Sequence, residues 1–95
     1  MPAVDPREIE KGKSIVISTL NELESRYGFT FQCEGWVQNQ ACEWILNVRF
    51  REGDTGRFLF DETDLRFASK SRLRRRKIVS LLNAYIQRMV RTEKL

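Results

Sequence analysis

The first part of the chain repeats apolar side chains at the spacing of an α-helix. They recur every three or four residues, or a multiple of that interval, which places them on one face of a helix. The members of this face are Ile9, Val16, Leu20, Leu23 and Tyr27. Asp5 and Pro6 suit a helix cap and a first helical position, and Gly28 suits a helix end. We therefore predict a helix over residues 6–27, with Gly12 on its buried face, where another element can approach closely.

Apolar and polar side chains then alternate, which is the pattern of β-strands. The alternation predicts a first strand over residues 29–34, a second over 42–51 and a third over 57–60. Polar residues 38–40 indicate a turn between the first two strands. Trp44 is in phase with the apolar face of the second strand, so we expect it to pack in the core.

The connection between the second and third strands contains two glycines and indicates a hairpin loop over residues 52–56. A hairpin centred near the middle of this loop would place Phe58 opposite Phe50. The same register would place Phe60 opposite Val48. All four side chains would then face the core of the protein.

A second apolar series at helical spacing predicts a helix from about Ser69 to Val90. Its buried face would contain Ile78, Leu81, Leu82, Tyr85, Ile86 and Met89. The acidic segment 61–64 connects the third strand to this region, and the pattern leaves the conformation of residues 65–69 open. The resulting order of elements is helix, three strands and helix.

This order, with its short connections, favours an antiparallel meander with both helices on one face of the sheet. We predict an α+β fold, αβββα, in a single domain over residues 6–92, with tails at 1–5 and 93–95. No apolar run is long enough to span a membrane, and the N-terminus does not have the pattern of a secretion leader. We therefore expect a cytoplasmic protein.

Positive charge is concentrated in the last third of the chain. Residues 66–95 carry ten Lys and Arg against one acid, a net charge of +9. Residues 1–65 carry seven Lys and Arg against twelve acids, a net charge of −5. The densest stretch is residues 70–77 (KSRLRRRK), with six cations in eight residues. Such an asymmetry favours a polyanionic partner, first of all nucleic acid, RNA or DNA.

The start of a helix is an unfavourable place for cations, because the helix dipole makes it positive. A phosphate bound there would reverse this effect. The candidate nucleic-acid-binding residues are Lys70, Arg72, Arg74, Arg75, Arg76, Lys77, Arg88 and Arg91. Two alternatives stay open: a protein-interaction or inhibitor module of accessory or phage type that binds an acidic protein surface, and a solvated face partly neutralised by the acids of residues 61–64.

The outward face of the sheet is a second candidate surface. Trp36 should point outward unless Gly35 introduces a bulge. Ile45 and Leu59 also fall on this face. With Trp36 and the arginines Arg49, Arg51 and Arg57 they would form a mixed apolar and basic surface suited to stacking on bases or to a protein contact. A homodimer through the sheet is an equally strong reading of this surface.

The residue types argue against an enzyme. The chain has no histidine, which excludes Ser-His and Cys-His catalytic sites. Cys33 and Cys42 supply only half of a tetrahedral zinc set, so we expect neither a metal nor another cofactor. We expect the two cysteines to be buried, reduced thiols, with a disulfide between neighbouring strands as the alternative.

The order of elements and the basic start of the last helix are similar to the double-stranded-RNA-binding domain. Residues 20–22 (LNE) and 69–70 (SK) match that family in placement. Over residues 9–90 the resemblance implies a helix, three antiparallel strands and a helix whose first turn contacts phosphates. The loop at 38–40 lacks the Gly-Pro-x-His element of the family, and the acids of residues 61–64 replace its glycine-rich approach to the last helix.

Overall fold

Six elements follow one another along the chain. The computed structural model describes residues 6–28, 30–51 and 54–93, with the side chains of 51, 54 and 90–93 outside that description. The elements are α1 (Pro6–Tyr27), β1 (Gln32–Gln38), β2 (Glu43–Arg51), β3 (Asp54–Asp61), α2 (Glu62–Phe67) and α3 (Arg72–Glu93). The strands form one antiparallel sheet in the order β1–β2–β3. The predicted α+β fold is confirmed, with the short helix α2 as an addition to it.

Helix α1 has the bounds that its apolar spacing predicts. Gly28 ends it with a φ of 75°, and its N–H donates to the carbonyl of Glu24 at 2.9 Å, which is a left-handed helix cap. Gly12 is buried, and a Cβ atom placed on it would collide with the carbonyl group of Leu65. The glycine therefore lets the backbones of α1 and α2 touch, as predicted. The proposed cap Asp5 lies outside the described residues.

The turn between β1 and β2 is closed by Asn39. Its Oδ1 accepts the N–H groups of Ala41 at 3.0 Å and Glu43 at 2.9 Å. Cys42 adopts a φ of 61° in this turn and is exposed, although the alternation placed it on the core face. Cys33, on the edge strand β1, is exposed as well. Both thiols are free, and the prediction that they are buried is wrong.

The predicted hairpin register is wrong. Phe58 pairs with Leu46 and Phe60 pairs with Trp44, not with Phe50 and Val48. The strands continue into the segment that the sequence assigned to the loop, since residue 54 already pairs with residue 51. The displacement is an even number of residues, so the inward and outward faces are unchanged.

A β-bulge turns Trp36 toward the helices. The register shifts between Cys33 and Gly35, and Gly35 has a φ of 144°. Trp36 then pairs with the inward residue Leu46, and its ring centroid lies 5.9 Å from that of Phe60. The bulge alternative is the one that the structure contains, so the outward position of Trp36 is corrected.

Helix α3 begins three residues later than predicted. Ser71 precedes it, and the Ser71 Oγ accepts the N–H of Arg74 at 3.3 Å, which is the role of a helix cap. The predicted buried face is confirmed, because Ile78, Leu82 and Ile86 are fully buried. Residues 62–67, most of which the sequence assigned to a connector or left open, form α2.

All three helices lie on one face of the sheet. Phe58 and Phe60 point from β3 into the helical layer, where Tyr85 of α3 stacks on the ring of Phe58 at 5.2 Å. The Tyr85 hydroxyl also donates to the carbonyl of Leu59 at 2.9 Å, which closes the edge of β3. In the described part of the chain no helix is long and apolar enough to cross a membrane.

Candidate nucleic-acid interface

The segment before α3 is held by a carboxylate from α1. Lys70 precedes α3, although the sequence predicted it within the helix. Its Nζ donates to Oε1 of Glu8 at 2.6 Å, and Nε of Arg66 donates to Oε2 of the same carboxylate at 3.2 Å. The hydrogen bonds from Lys70 and Arg66 hold the pKa of Glu8 below its ordinary value. These contacts therefore join the start of α1 to α2 and to the segment before α3.

A buried carboxylate holds two more of the predicted cations. Only 1% of the Asp64 side chain is exposed, and its oxygens lie 2.7 Å from Nη1 of Arg74 and 2.8 Å from Nζ of Lys77. The hydrogen bond and charge of Asp64 raise the pKa of Lys77. An unpaired buried charge is strongly destabilising, so this carboxylate requires its cations. Arg74 and Lys77 thus have a structural role inside the protein.

Three arginines at the same helix end are turned the other way. Helical rotation of about 100° per residue puts Arg72, Arg75 and Arg76 on one side of α3 and the pair that binds Asp64 on the other. All three are exposed, and the surface that they form is called the arginine side below. Arg75 donates at 3.4 Å to each of the carbonyls of Ala68 and Ser69. Within the described residues, Arg72 and Arg76 have no carboxylate partner.

A groove between α1 and α3 borders one of these arginines, Arg75. It has a volume of about 430 Å³ and is lined by Ser14, Ile15, Ser18, Thr19, Glu22, Arg75 and Val79. The hydroxyl groups on its α1 side can donate to an anionic oxygen or accept from a sugar hydroxyl, whereas the carboxylate of Glu22 repels an anion. The groove therefore favours a sugar hydroxyl over a phosphate next to Arg75.

Leu73 stands among the cations with 76% of its surface exposed. It lies on the side of α3 opposite the buried residue Ile78. The helical period of the sequence indicated this exposure, because Leu73 lies about 120° or more around α3 from Ile78, Leu82 and Tyr85 of the predicted buried face. Leu73 is part of the exposed surface at the start of α3, and the charge pattern did not indicate it because its side chain is uncharged.

The remaining predicted residues are not part of this cluster. Arg88 is exposed but lies 16 residues along α3 from Arg72, which is about 24 Å of helix. The side chain of Arg91 lies outside the described residues. Of the six cations in residues 70–77, three contact the protein's own carboxylates and three form the exposed arginine side.

The outward face of the sheet differs from the predicted basic and aromatic surface. Trp36 is absent from it because of the bulge, and Nη2 of Arg49 lies 3.0 Å from Oε2 of Glu34. Arg57 is exposed, and the side chain of Arg51 lies outside the described residues. An apolar row crosses the strands instead, formed by Val37, Ile45 and Leu59, which are paired with one another in register.

The order of helices and strands is that of the double-stranded-RNA-binding domain, with α2 inserted before the last helix. Comparison of the chain with models of protein families, with curated proteins and with solved structures finds no match in any of the three.

Proposed function

We propose that the protein is a small nucleic-acid-binding domain that contacts backbone phosphates with Arg72, Arg75 and Arg76. One observation carries this proposal. The internal carboxylates neutralise one side of the basic helix start and leave the arginine side exposed. Cations that served only to balance Asp64 would end with Arg74 and Lys77, so the exposed arginines need another explanation.

The start of α3 adds backbone donors to the arginine side. Ser71 satisfies the N–H of Arg74, which leaves the N–H groups of Arg72 and Leu73 without a partner inside the helix. A phosphate at this point would accept from these groups and from an arginine together. Arginine also suits this role because its planar guanidinium presents two donors to two phosphate oxygens.

In this proposal the basic segment consists of residues that contact the nucleic acid and residues that support them. Arg72, Arg75 and Arg76 contact the nucleic acid. Arg74 and Lys77, held by Asp64, fix the orientation of the helix start. Arg88 lies about 160° around α3 from Arg72, on the side of Arg74 and Lys77, so it is left out of the proposed contacts. This division predicts that equal changes of charge have unequal effects on binding.

The proposal is one of binding, without catalysis, in the cytoplasm. The chain has no histidine to act as a general base at neutral pH. Both cysteines are free and exposed, and free thiols persist in reducing compartments. These features support the proposal and do not depend on the identity of the nucleic acid.

Binding of short RNA and DNA duplexes and single strands, measured by fluorescence anisotropy across a salt series, tests the proposal. The variant is the double replacement Arg72→Glu and Arg76→Glu. We expect this variant to bind more weakly. Because it loses two phosphate contacts, the slope of log affinity against log salt should fall in magnitude by about 2. Arg74 is not replaced, because its loss would leave the buried carboxylate of Asp64 with Lys77 as its remaining strong partner and destabilise the fold.

The matched control is the double replacement Arg49→Glu and Arg57→Glu on the outward face of the sheet. Each replacement lowers the net charge by two, so both double variants change the net charge from +4 to zero. On a duplex long enough to bind one copy of the protein, we expect the control to keep at least half of the wild-type slope of log affinity against log salt. Equal loss in both variants, or no binding by the wild type, would contradict the proposal.

An acidic protein partner is the second candidate, and the exposure of Leu73 favours it. An apolar side chain surrounded by cations suits a protein surface better than a phosphate backbone. The replacement Leu73→Ser separates the two functions, because it would weaken binding to a protein by about tenfold while it leaves affinity for nucleic acid nearly unchanged.

A further inference from the structure

The outward face of the sheet carries an apolar row across its full width. Val37 in β1, Ile45 in β2 and Leu59 in β3 are cross-strand neighbours. The exposed fractions are 53% for Val37 and 37% for Leu59. The helices pack on the other face, so within the described residues nothing covers this row. Single exposed apolar residues are ordinary, but a continuous row on a flat sheet is a surface that can associate.

Opposite charges flank the apolar row. Along β3, Arg57 lies two residues before Leu59 and Asp61 two residues after it, so each is about 7 Å from the row. Asp61 is 62% exposed, and its one described ion pair, with Lys77, is long at 3.9 Å. On β2 the same order places Glu43 on the acidic side, with the polar residue Asn47 beside Arg57. The acidic side of the row therefore carries Asp61 and Glu43, and the other side carries Arg57, together with Arg49, which is paired with Glu34.

We propose that this face is a homodimer interface in which a second copy of the chain binds by a two-fold axis along the apolar row. Rotation about that axis stacks Leu59 on Leu59 of the second copy and reverses the strand direction. Arg57 of each copy then faces Asp61 of the other, twice by symmetry. A face that is acidic and basic on opposite sides of an apolar row complements its own rotated image.

The size of the face agrees with a weak dimer. Three strands spaced about 4.8 Å apart and about six residues long present a face that buries on the order of 1,000 Å² in total when two copies pack together. This value is below the range of about 1,200–2,000 Å² for stable interfaces, so the dimer should dissociate on dilution. The start of α3 lies in the helical layer, away from the interface, so both arginine sides stay accessible. The inference does not rest on the proposed function.

Sedimentation equilibrium of the full chain from about 1 μM to about 1 mM tests the interface. We expect the mass to rise from one copy to two and then to level off. The replacement Leu59→Asp should weaken the association at least tenfold. The control Leu73→Asp makes the same change at an exposed leucine on α3, and it should leave the association constant within a factor of two.

A charge swap tests the two-fold geometry. Arg57→Asp alone places like charges opposite each other and should weaken the dimer about tenfold, and Asp61→Arg should do the same. The double replacement in one chain restores opposite charges and should recover most of the affinity. Thermal melts followed by circular dichroism confirm that each variant is folded, and Arg57→Asp, at an exposed position away from the helices, serves if Asp61→Arg is unstable.

Three results would overturn the interface. A single-copy mass at every concentration excludes the dimer. A dimer that survives Leu59→Asp assigns the contact to another surface, such as the free edge of β1. A mass that increases without a plateau indicates open-ended association. None of these results bears on nucleic-acid binding, because the Leu59→Asp variant keeps the arginine side of α3 and its anisotropy is measured separately.

Discussion

The guanidinium of Arg74 lies 2.7 Å from a carboxylate oxygen of Asp64, whose side chain is 1% exposed. This contact gives one cation of the most basic segment, residues 70–77, a structural role inside the protein. Arginines in such a run are expected to extend into solvent, yet Arg74 folds back and also lies over the ring of Phe67 at 5.9 Å. The basic segment is therefore partly a structural device that neutralises a buried acid.

The first prediction concerns the stability of this pair. Arg74→Ala should lower the free energy of unfolding by about 2 kcal/mol, because it leaves Asp64 with Lys77 as its remaining strong partner. Arg76→Ala removes the same side chain from an exposed position two residues along and should change stability by about 0.5 kcal/mol or less. Urea denaturation of both variants measures the difference. Equal effects would show that the contact with Asp64 contributes little.

The second prediction is a pH dependence that originates at Glu8. Lys70 and Arg66 lower the pKa of Glu8 from its ordinary value of 4.5, so the ionised carboxylate stabilises the folded protein above that value. The contribution is lost as the pH falls through the lowered pKa. Glu8→Gln should therefore melt at a lower temperature than the wild type at pH 7, and the two melting temperatures should approach each other as the pH falls through the lowered pKa of Glu8. A difference that stays constant with pH would exclude the ionic origin.

The third prediction tests the contact between α1 and α2. Gly12→Ala should destabilise the protein by about 3 kcal/mol or more, because the added methyl group would overlap the carbonyl of Leu65, and backbone cannot move aside cheaply. Ser18→Ala, at an exposed position of the same helix, should be neutral or slightly stabilising. Thermal denaturation of the two variants gives the comparison, and a tolerated alanine at position 12 would refute the close packing.

The fourth prediction is a stabilising replacement. Cys42 holds a φ of 61°, a conformation that glycine adopts without the steric penalty of a side chain. Cys42→Gly should raise stability by about 0.5–1 kcal/mol, or a few degrees of melting temperature. Ala41→Gly introduces the same residue one position earlier, where φ is negative, and should destabilise. A lower melting temperature for Cys42→Gly would show that its side chain makes a contact worth more than the strain.

The sequence determined the elements whose signals are local. Helix α1 has its predicted bounds at Pro6 and Tyr27, because the apolar period, the proline and the final glycine all lie within the helix or next to it. The buried face of α3 follows from the same period. Helix α2 spans six residues, which is too short for a period to show, and its acidic first turn resembles a solvated connector.

Features that depend on distant residues could not be predicted. The hairpin register depends on where two strands stop pairing, and alternation gives the face of a residue without its partner. Gly35 indicated that a bulge could turn Trp36 inward, but the sequence alone did not decide between the bulged and the regular strand. Arg74 and Lys77 are separated from the exposed arginines because Asp64 is buried in α2, a helix that the sequence did not indicate. The charge pattern therefore indicated where the basic surface lies, but not which residues form it.

The bulge at Gly35 makes the backbone conformation of one glycine a determinant of surface chemistry. One residue of β1 has no counterpart in β2, and this surplus residue keeps the indole of Trp36 against Phe60. Replacement of Gly35 by valine, which does not adopt a φ of 144°, would disfavour the bulge, and regular pairing of the full-length strand would carry the indole through the sheet to the side of Ile45. In this small fold, the choice of one residue on an edge strand would thus exchange a large aromatic ring between the interior and the water-facing side.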